Sequence, residues 1–413
     1  MFWYMVILLS ICGQVLPQQN NVCRTMKDYY AMDNNPNCWH NEIVGASVPD
    51  IITKTGRPFA VYNVTTNDGY IITIFRMTNK DSPNKKMNSV FLQHGLITTS
   101  ANWVSLGNDS LAFQLHNNGY DVWLGNYRGT QYSEEHINFS VNDDEYWDYS
   151  VDDVALGDIP AAIKFIFNET GNKIIYVGHS LGSTFGLMYG SEHPEEVRKY
   201  IKLMVLTAPA YTLSNIRTSL GLAAPFVDTI YTASKYYGFI KIASFGQTTK
   251  DIAKIICMDS PKTMNSCFTF ISLIYGPKNG IKPEMYPAYF DQHPSGTSLK
   301  LIKHVASFVG NSFRKFDYGV RNIGIYNSFL PPTYDISKIV VPTAVIYARN
   351  DWLTTKYDSI NLYKSLSRKA RFAIHEIPEE NFNHIDFMFG TKAKDLYIDY
   401  LLDMFNNNSP STE

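Results

Sequence analysis

Residues Lys173–Gly190 read KIIYVGHSLGSTFGLMYG. Lys173 to Val177 is a β-branched and aromatic run, the composition of a buried strand. Gly178-His179-Ser180-Leu181-Gly182 follows, and a helix-compatible run then continues to His193-Pro194, where the proline ends it. Strand, G-x-S-x-G, helix is the setting in which this motif carries chemistry, because the serine then stands at the tip of a sharp turn with its Oγ clear of the backbone. The flanking glycines keep Cβ atoms out of that corner. A glycine-rich turn alone would mean little; the strand before it and the helix after it make Ser180 the candidate nucleophile.

Working outward, Ala60–Val64 and Tyr70–Arg76 flank Asn67-Asp68-Gly69, a hairpin signal. Residues 20–50 are polar and read as irregular, and Lys80–Asn88 as a charged loop. Ser89–Gln93 is the next strand and ends at His94-Gly95-Leu96. Asn108–Asn118 predicts a helix that stops at Gly119. Tyr120–Leu124 predicts a strand entering Gly125-Asn126-Tyr127-Arg128-Gly129. A helix is expected from about Ser150 to Glu169, with Asp152, Asp153 and Asp158 toward its start, where carboxylates complement the helix dipole. Tyr200–Leu206 is a strand ending at Thr207-Ala208-Pro209. Strands and helices thus alternate from about residue 89 to 210, the pattern of an α/β fold whose mostly parallel sheet carries helices on both faces. The alternation lapses between Tyr211 and Pro332, where Leu299–Phe308 is one helical run. It resumes at Val341–Tyr347 and Ala370–Ile377. The simplest organisation is a core formed by 48–210 and 333–405, with a largely helical cap or lid inserted over 211–332. Such an insertion would lie over the carboxyl ends of the strands, where α/β sheets bind ligands.

With 413 residues, 45% of them hydrophobic, the chain is long enough to bury a large core. Its formal net charge of -2 argues against a nucleic-acid partner, which needs clustered Lys and Arg. Met1–Ser10, MFWYMVILLS, is too short to span a bilayer and is followed by polar residues from Gln14 to Asn21. It reads as a secretory leader of about residues 1–17, although no Lys or Arg precedes the apolar run. No later segment reads as a transmembrane helix. The expected location is extracellular, with the lysosome as the alternative. Of five cysteines Cys12 leaves with the leader; Cys23, Cys38, Cys257 and Cys267 remain, an even number suited to an oxidising compartment. Three pairings exist, and the sequence-local ones, Cys23–Cys38 and Cys257–Cys267, are favoured. Sequons at Asn63, Asn108, Asn138, Asn168 and Asn407 are glycosylation candidates in that compartment. The chain has no Cys-x-x-Cys and no His/Cys cluster, and neither a metal nor a cofactor is expected.

A serine hydroxyl needs a hydrogen-bonded base to take its proton. Where the nucleophile lies on a strand–G-x-S-x-G–helix turn, an acid and then a histidine follow it along the chain. That order removes His40, His94, His116, His136 and His179. His193 ends the nucleophile helix, His293 and His304 fall in the inserted segment, and His375 lies inside a strand. His384 remains, in the polar loop before a terminal helix. Asp351 directly follows the Val341–Tyr347 strand and is the acid that would hold the His384 Nδ1–H. Asp358 and Asp386 compete but end no strand. The tetrahedral oxyanion needs two preset donors: the backbone N–H of Leu181, and that of Leu96, which Gly95 lets approach closely.

Taken together, His94-Gly95-Leu96, the Tyr120–Gly129 run, Gly178–Gly182, Asn350-Asp351-Trp352-Leu353 and Asn383-His384-Ile385-Asp386-Phe387 resemble the acid lipase family. That family includes gastric and lysosomal acid lipases and many insect digestive lipases. The early Asn67-Asp68-Gly69-Tyr70 turn fits as well, and the resemblance runs from about Val48 to Phe405. It implies an α/β-hydrolase with a cap and lid that cleaves carboxylic esters of lipids, triacylglycerol or sterol ester, without a cofactor and at a lipid–water interface. Matched motif to motif, it carries nucleophile, acid and base onto Ser180, Asp351 and His384, the oxyanion donors onto Leu96 and Leu181, and a disulfide onto Cys257–Cys267. The family usually has Gln after the nucleophile, where this chain has Leu181. The backbone donor survives that change; a side-chain contribution beside the oxyanion hole does not. Two rival readings are a soluble carboxylesterase and a catalytically silent lipid carrier on the same scaffold. The carrier needs no complete triad.

Overall fold

The computed structural model describes residues 19–78, 88–238, 241–242, 254–310 and 313–407. The expected leader, Cys12 and nearly all of the charged loop fall outside them.

The expected hairpin forms first. Strands β1 (Phe59–Thr65) and β2 (Tyr70–Met77) pair antiparallel around the Asp68-Gly69 turn, where Gly69 adopts φ +95°. Strand β3 (Ser89–Gln93) and strand β4 (Asp121–Gly125) follow, and β4 pairs antiparallel with β2. Then come β5 (Ile174–His179), β6 (Ile201–Thr207), β7 (Thr343–Ala348) and β8 (Arg371–Ile377). The six strands from β3 on are parallel, and the spatial order is β8-β7-β6-β5-β3-β4-β2-β1, with the short strand Glu135–His136 also pairing with β2. From β3 the chain builds toward one edge through β4, then returns to the other side of β3 as β5. That reversal opens a crevice at the carboxyl ends of β3 and β5.

Every residue of β3, β4, β5 and β7 is buried, whereas β8 and β1 at the two edges are mostly half-exposed. This explains why the central strands are near-continuous apolar runs rather than alternating ones. The pleat still sorts the side chains. Ile175, Val177, Val90 and Leu92 enter the core on one face of the sheet, and Ile174, Tyr176 and Phe91 enter the core on the other. Helices α1 (Ile159–Thr170) and α2 (Leu181–Glu192) pack in the second core; α2 is buried along almost its whole length.

Between β6 and β7 the chain leaves the sheet and forms several helices, among them α3 (Pro261–Tyr275), which Ser260 caps by accepting the Thr263 N–H. Both disulfides take the sequence-local pairing, Cys23–Cys38 and Cys257–Cys267. All five sequon asparagines are exposed, Asn63 on the edge strand β1.

Two expectations need correction. The 20–50 region is partly ordered: Val22–Cys23 pairs with Cys38–Trp39, the disulfide ties that ladder, and a helix begins at Val48 behind a Ser47 capping box. The expected helix from Ser150 to Glu169 is interrupted by a π-helical turn at Val154–Asp158. Asp158 stands at the N-cap of α1, but its side chain makes no capping hydrogen bond. It is buried and accepts from the Arg128 guanidinium and the Arg128 backbone N–H, each at 2.8 Å, while the other edge of the guanidinium binds Asp68. Asp152 and Asp153 do lie in the first turn as expected, Asp153 also in the Ser150 capping box.

Candidate active site

Ser180 lies between β5 and α2 with φ +56° and ψ −119°, a conformation that few residues with a side chain adopt. Its glycine neighbours are sterically required. A Cβ on Gly178 would lie 2.5 Å from the Gly182 carbonyl oxygen, and one on Gly182 would lie 2.2 Å from that of Gln93. The turn is further tied by the Ser180 N–H donating to Thr207 O at 2.9 Å.

The structure brings together the three side chains selected from the sequence. Ser180 Oγ is 2.8 Å from His384 Nε2, and His384 Nδ1 is 2.8 Å from Asp351 Oδ2. A carboxylate only accepts, so Nδ1 carries the proton and Nε2 presents a lone pair to the serine hydroxyl. Asp351 is itself fixed from behind. Leu353 N–H and Thr354 N–H each donate to Oδ1 at 2.8 Å, and the Thr354 hydroxyl donates to Oδ2 at 2.6 Å. The rival carboxylates are engaged elsewhere. Asp358 accepts from Asn215, and Asp386 accepts from the Gly280 and Asn383 N–H groups.

Three contributors escaped the sequence reading. Thr354 braces the acid and lies 3.2 Å from His384 Nδ1; its only signal is a hydroxyl three residues after an aspartate. Tyr275, at the end of α3, stacks on the His384 ring at 5.3 Å with 7° between planes. His179, excluded as a base by chain order, donates Nε2–H to the His384 carbonyl at 3.1 Å.

Leu181 is the first residue of α2, so its N–H has no acceptor within the helix. Across the crevice, the Gly95 carbonyl accepts from His94 Nδ1–H at 2.9 Å and from the Tyr127 hydroxyl at 3.3 Å. A trans peptide whose C=O is held on one side presents its N–H, here that of Leu96, on the other. A Cβ on Gly95 would lie 2.9 Å from Ser180 Cβ, so glycine is required for this loop to reach the serine. Above Ser180 lies a cavity of about 400 Å³, lined mainly by apolar side chains that include Leu96, Leu181, Ile216, Val305, Leu353 and Phe389. About half of its wall, 15 of 28 lining residues, comes from the segment between β6 and β7, His293 among them.

Burial keeps two imidazoles beside the site neutral. His94 is driven down to about 3 and His179 well below its ordinary value, in both cases chiefly by loss of hydration. Their folded values lie below the unfolded one, so the unfolded chain takes up protons first as pH falls. Their contribution to stability is complete above about pH 6.5 and drains away as pH falls toward about 3. Asp386 acts oppositely: burial raises it to about 7, so its contribution is complete below the ordinary carboxylate value and is lost as pH rises through about 7. With two imidazoles against one carboxyl, the urea midpoint is expected to fall between pH 6.5 and 4. The loss should be shallower in His94→Gln, by up to about 1.4 kcal/mol per pH unit. A midpoint that is flat over this range would contradict the neutral assignment.

Comparison with known proteins gives the family. The alpha/beta hydrolase fold family matches residues 88–391, and the partial alpha/beta-hydrolase lipase region matches 48–107. Lipase member K of Homo sapiens is 33% identical over 396 residues, 92% of this chain and 95% of that protein. The lysosomal acid lipase/cholesteryl ester hydrolase of Macaca fascicularis is 35% identical over 369 residues, 86% of this chain and 89% of that one. Among solved structures, a soluble variant of monoglyceride lipase from Saccharomyces cerevisiae superposes with a TM-score of 0.50 at 14% identity, covering 85% of this chain and 97% of that one, a likeness of fold. The chain belongs to the alpha/beta hydrolase fold family and, within it, to the acid lipases.

Proposed function

We propose that this protein hydrolyses carboxylic esters of lipids through an acyl-enzyme formed on Ser180. The observation that carries the reading is the continuous hydrogen-bond chain Ser180–His384–Asp351 at the floor of an apolar cavity. In this reading Ser180 Oγ attacks the ester carbonyl as its proton passes to His384 Nε2, and Asp351 stabilises the imidazolium. The oxyanion takes the N–H groups of Leu96 and Leu181. The imidazolium then gives its proton to the departing alkoxide. Water enters, loses a proton to the same nitrogen, and releases the fatty acid and Ser180.

The cavity wall supports a lipid acyl chain as the part of the substrate that binds, because it offers mostly aliphatic and aromatic surface. Residues 211–332 are proposed as the cap over the strand ends. Their outward surface includes Leu222, Phe226, Tyr236, Val320 and Phe329, all more than half exposed, which suits a transient lipid–water interface. The two disulfides fit a secretory route to the extracellular space or the lysosome. Among the described residues no helix is long and apolar enough to cross a membrane.

A fluorophosphonate probe is expected to leave one adduct, on Ser180, and emulsified triacylglycerol or sterol ester to be cleaved faster than soluble short-chain esters. No adduct at Ser180 would sink the enzyme reading in favour of a lipid carrier. An adduct with preference for soluble esters would make the protein a carboxylesterase.

A further inference from the structure

The base at residue 384 is held less by its own strand than by the segment that leaves the sheet. Its loop, Asn383–Asp386, and the acid's loop, Asn350–Trp352, both hang on the short stretch Tyr275–Gly280 that begins with the last residue of α3. Asn383 Nδ2 donates to the carbonyls of Gly276 at 3.1 Å and Lys278 at 3.2 Å. Asn350 Nδ2 donates to Lys278 O at 3.0 Å, and Trp352 N–H donates to Tyr275 O at 3.2 Å. At the centre is Asp386, fully buried, whose Oδ1 accepts the Gly280 N–H and whose Oδ2 accepts the Asn383 N–H, both at 2.7 Å. One carboxyl group therefore joins the residue beside the base to the inserted segment. No side chain of the expected triad does this, and among the described residues the buried Asp386 carboxyl pairs with these backbone N–H groups and with no cation.

We propose that Asp386 is a positioning residue for His384, fixing the imidazole against Ser180 by tying the base loop to Gly280, so that the inserted segment sets the alignment of the base as well as covering the cavity. This rests on the reading of His384 as the general base. Packing is consistent with it: a Cβ on Gly280 would lie 3.2 Å from Asp386 Oδ1, and one on Gly390 would lie 2.6 Å from it, so the carboxylate is enclosed by two glycines that admit nothing larger.

Asparagine at 386 keeps the shape but turns an amide donor toward one of the two N–H groups, which breaks that tie. Asp386→Asn is expected to lower kcat about 10- to 100-fold, at nearly constant KM for a soluble ester, counted per serine titrated with fluorophosphonate. In a His384→Ala background the same change should cost less than about twofold, because a residue acting through the imidazole has nothing left to position. Asn383→Ala, which cuts the parallel tie to Gly276 and Lys278, should reproduce the kcat loss and serves if Asp386→Asn does not fold. Wild-type kcat per titrated serine, or an equal loss with and without His384, would overturn the proposal. The downfield proton resonance of His384 Nδ1–H reads alignment without turnover: it should broaden or shift in Asp386→Asn even if the wild-type protein proves to cleave no ester, and an unchanged resonance would also overturn the proposal.

Discussion

Ser180→Ala is expected to reduce ester turnover by about 10⁵-fold or more while leaving the fold intact, and Ser180→Gly to be equally inactive yet more stable than either. The loss follows from removing the only atom that forms the acyl bond; serine hydrolase triads lose activity on this scale when the nucleophile is deleted. The gain follows from the backbone. Ser180 holds φ +56°, a conformation that costs a residue with a Cβ about 1–3 kcal/mol. Alanine keeps the Cβ and the strain. Glycine releases it, less about 0.5–1 kcal/mol of added freedom in the unfolded chain, for a net gain of about 1 kcal/mol. Activity against a soluble ester and urea denaturation of the three proteins provide the check. Residual turnover in Ser180→Ala would refute the nucleophile, and a glycine variant no more stable than the alanine one would refute the strain.

The largest loss of stability is expected from Arg128→Met, about 3–5 kcal/mol, far from any contact with substrate. Arg128 and Asp158 are each about 1% exposed, and removing the guanidinium leaves the carboxylate buried and uncompensated. The guanidinium also lies 3.9 Å over the Tyr70 ring and binds Asp68, so it fastens the first hairpin to the helix before α1. Its loop carries Tyr127, which braces the Gly95 carbonyl, so the surviving folded fraction should also lose kcat. A double replacement, Arg128→Met with Asp158→Leu, should recover a large part of the stability, because the pair then leaves together. If the double variant is as unstable as the single one, hydrogen bonds to the loop backbone, and not the ion pair, carry the effect.

How far these features were legible in the chain differs by kind. The parallel strands could be read to within a residue or two because burial on both faces demands unbroken apolar runs, as in Ile174–Val177 and Ala344–Tyr347. Ser180, Asp351 and His384 could be read because each follows a strand in a fixed order. The π-helical turn at Val154–Asp158 was not legible, since the partner that Asp158 meets there, Arg128, lies thirty residues away. Tyr275 and Gly280 were hidden for the same reason: nothing in their local pattern tells that the segment they end returns to the base. Thr354 was within reach, its hydroxyl three residues past the acid, but such spacing also marks ordinary turns.

The separation of 204 residues between Ser180 and His384 has a consequence for biosynthesis. Strand β8 is the outermost parallel strand and is added last, so during translation the serine, its turn and most of the cavity exist before any base does. A ribosome-bound chain that ends before residue 384 holds Ser180 without the histidine that would activate it. A hydrolase of lipids is thereby kept silent by the order of its own strands until its C-terminal residues emerge.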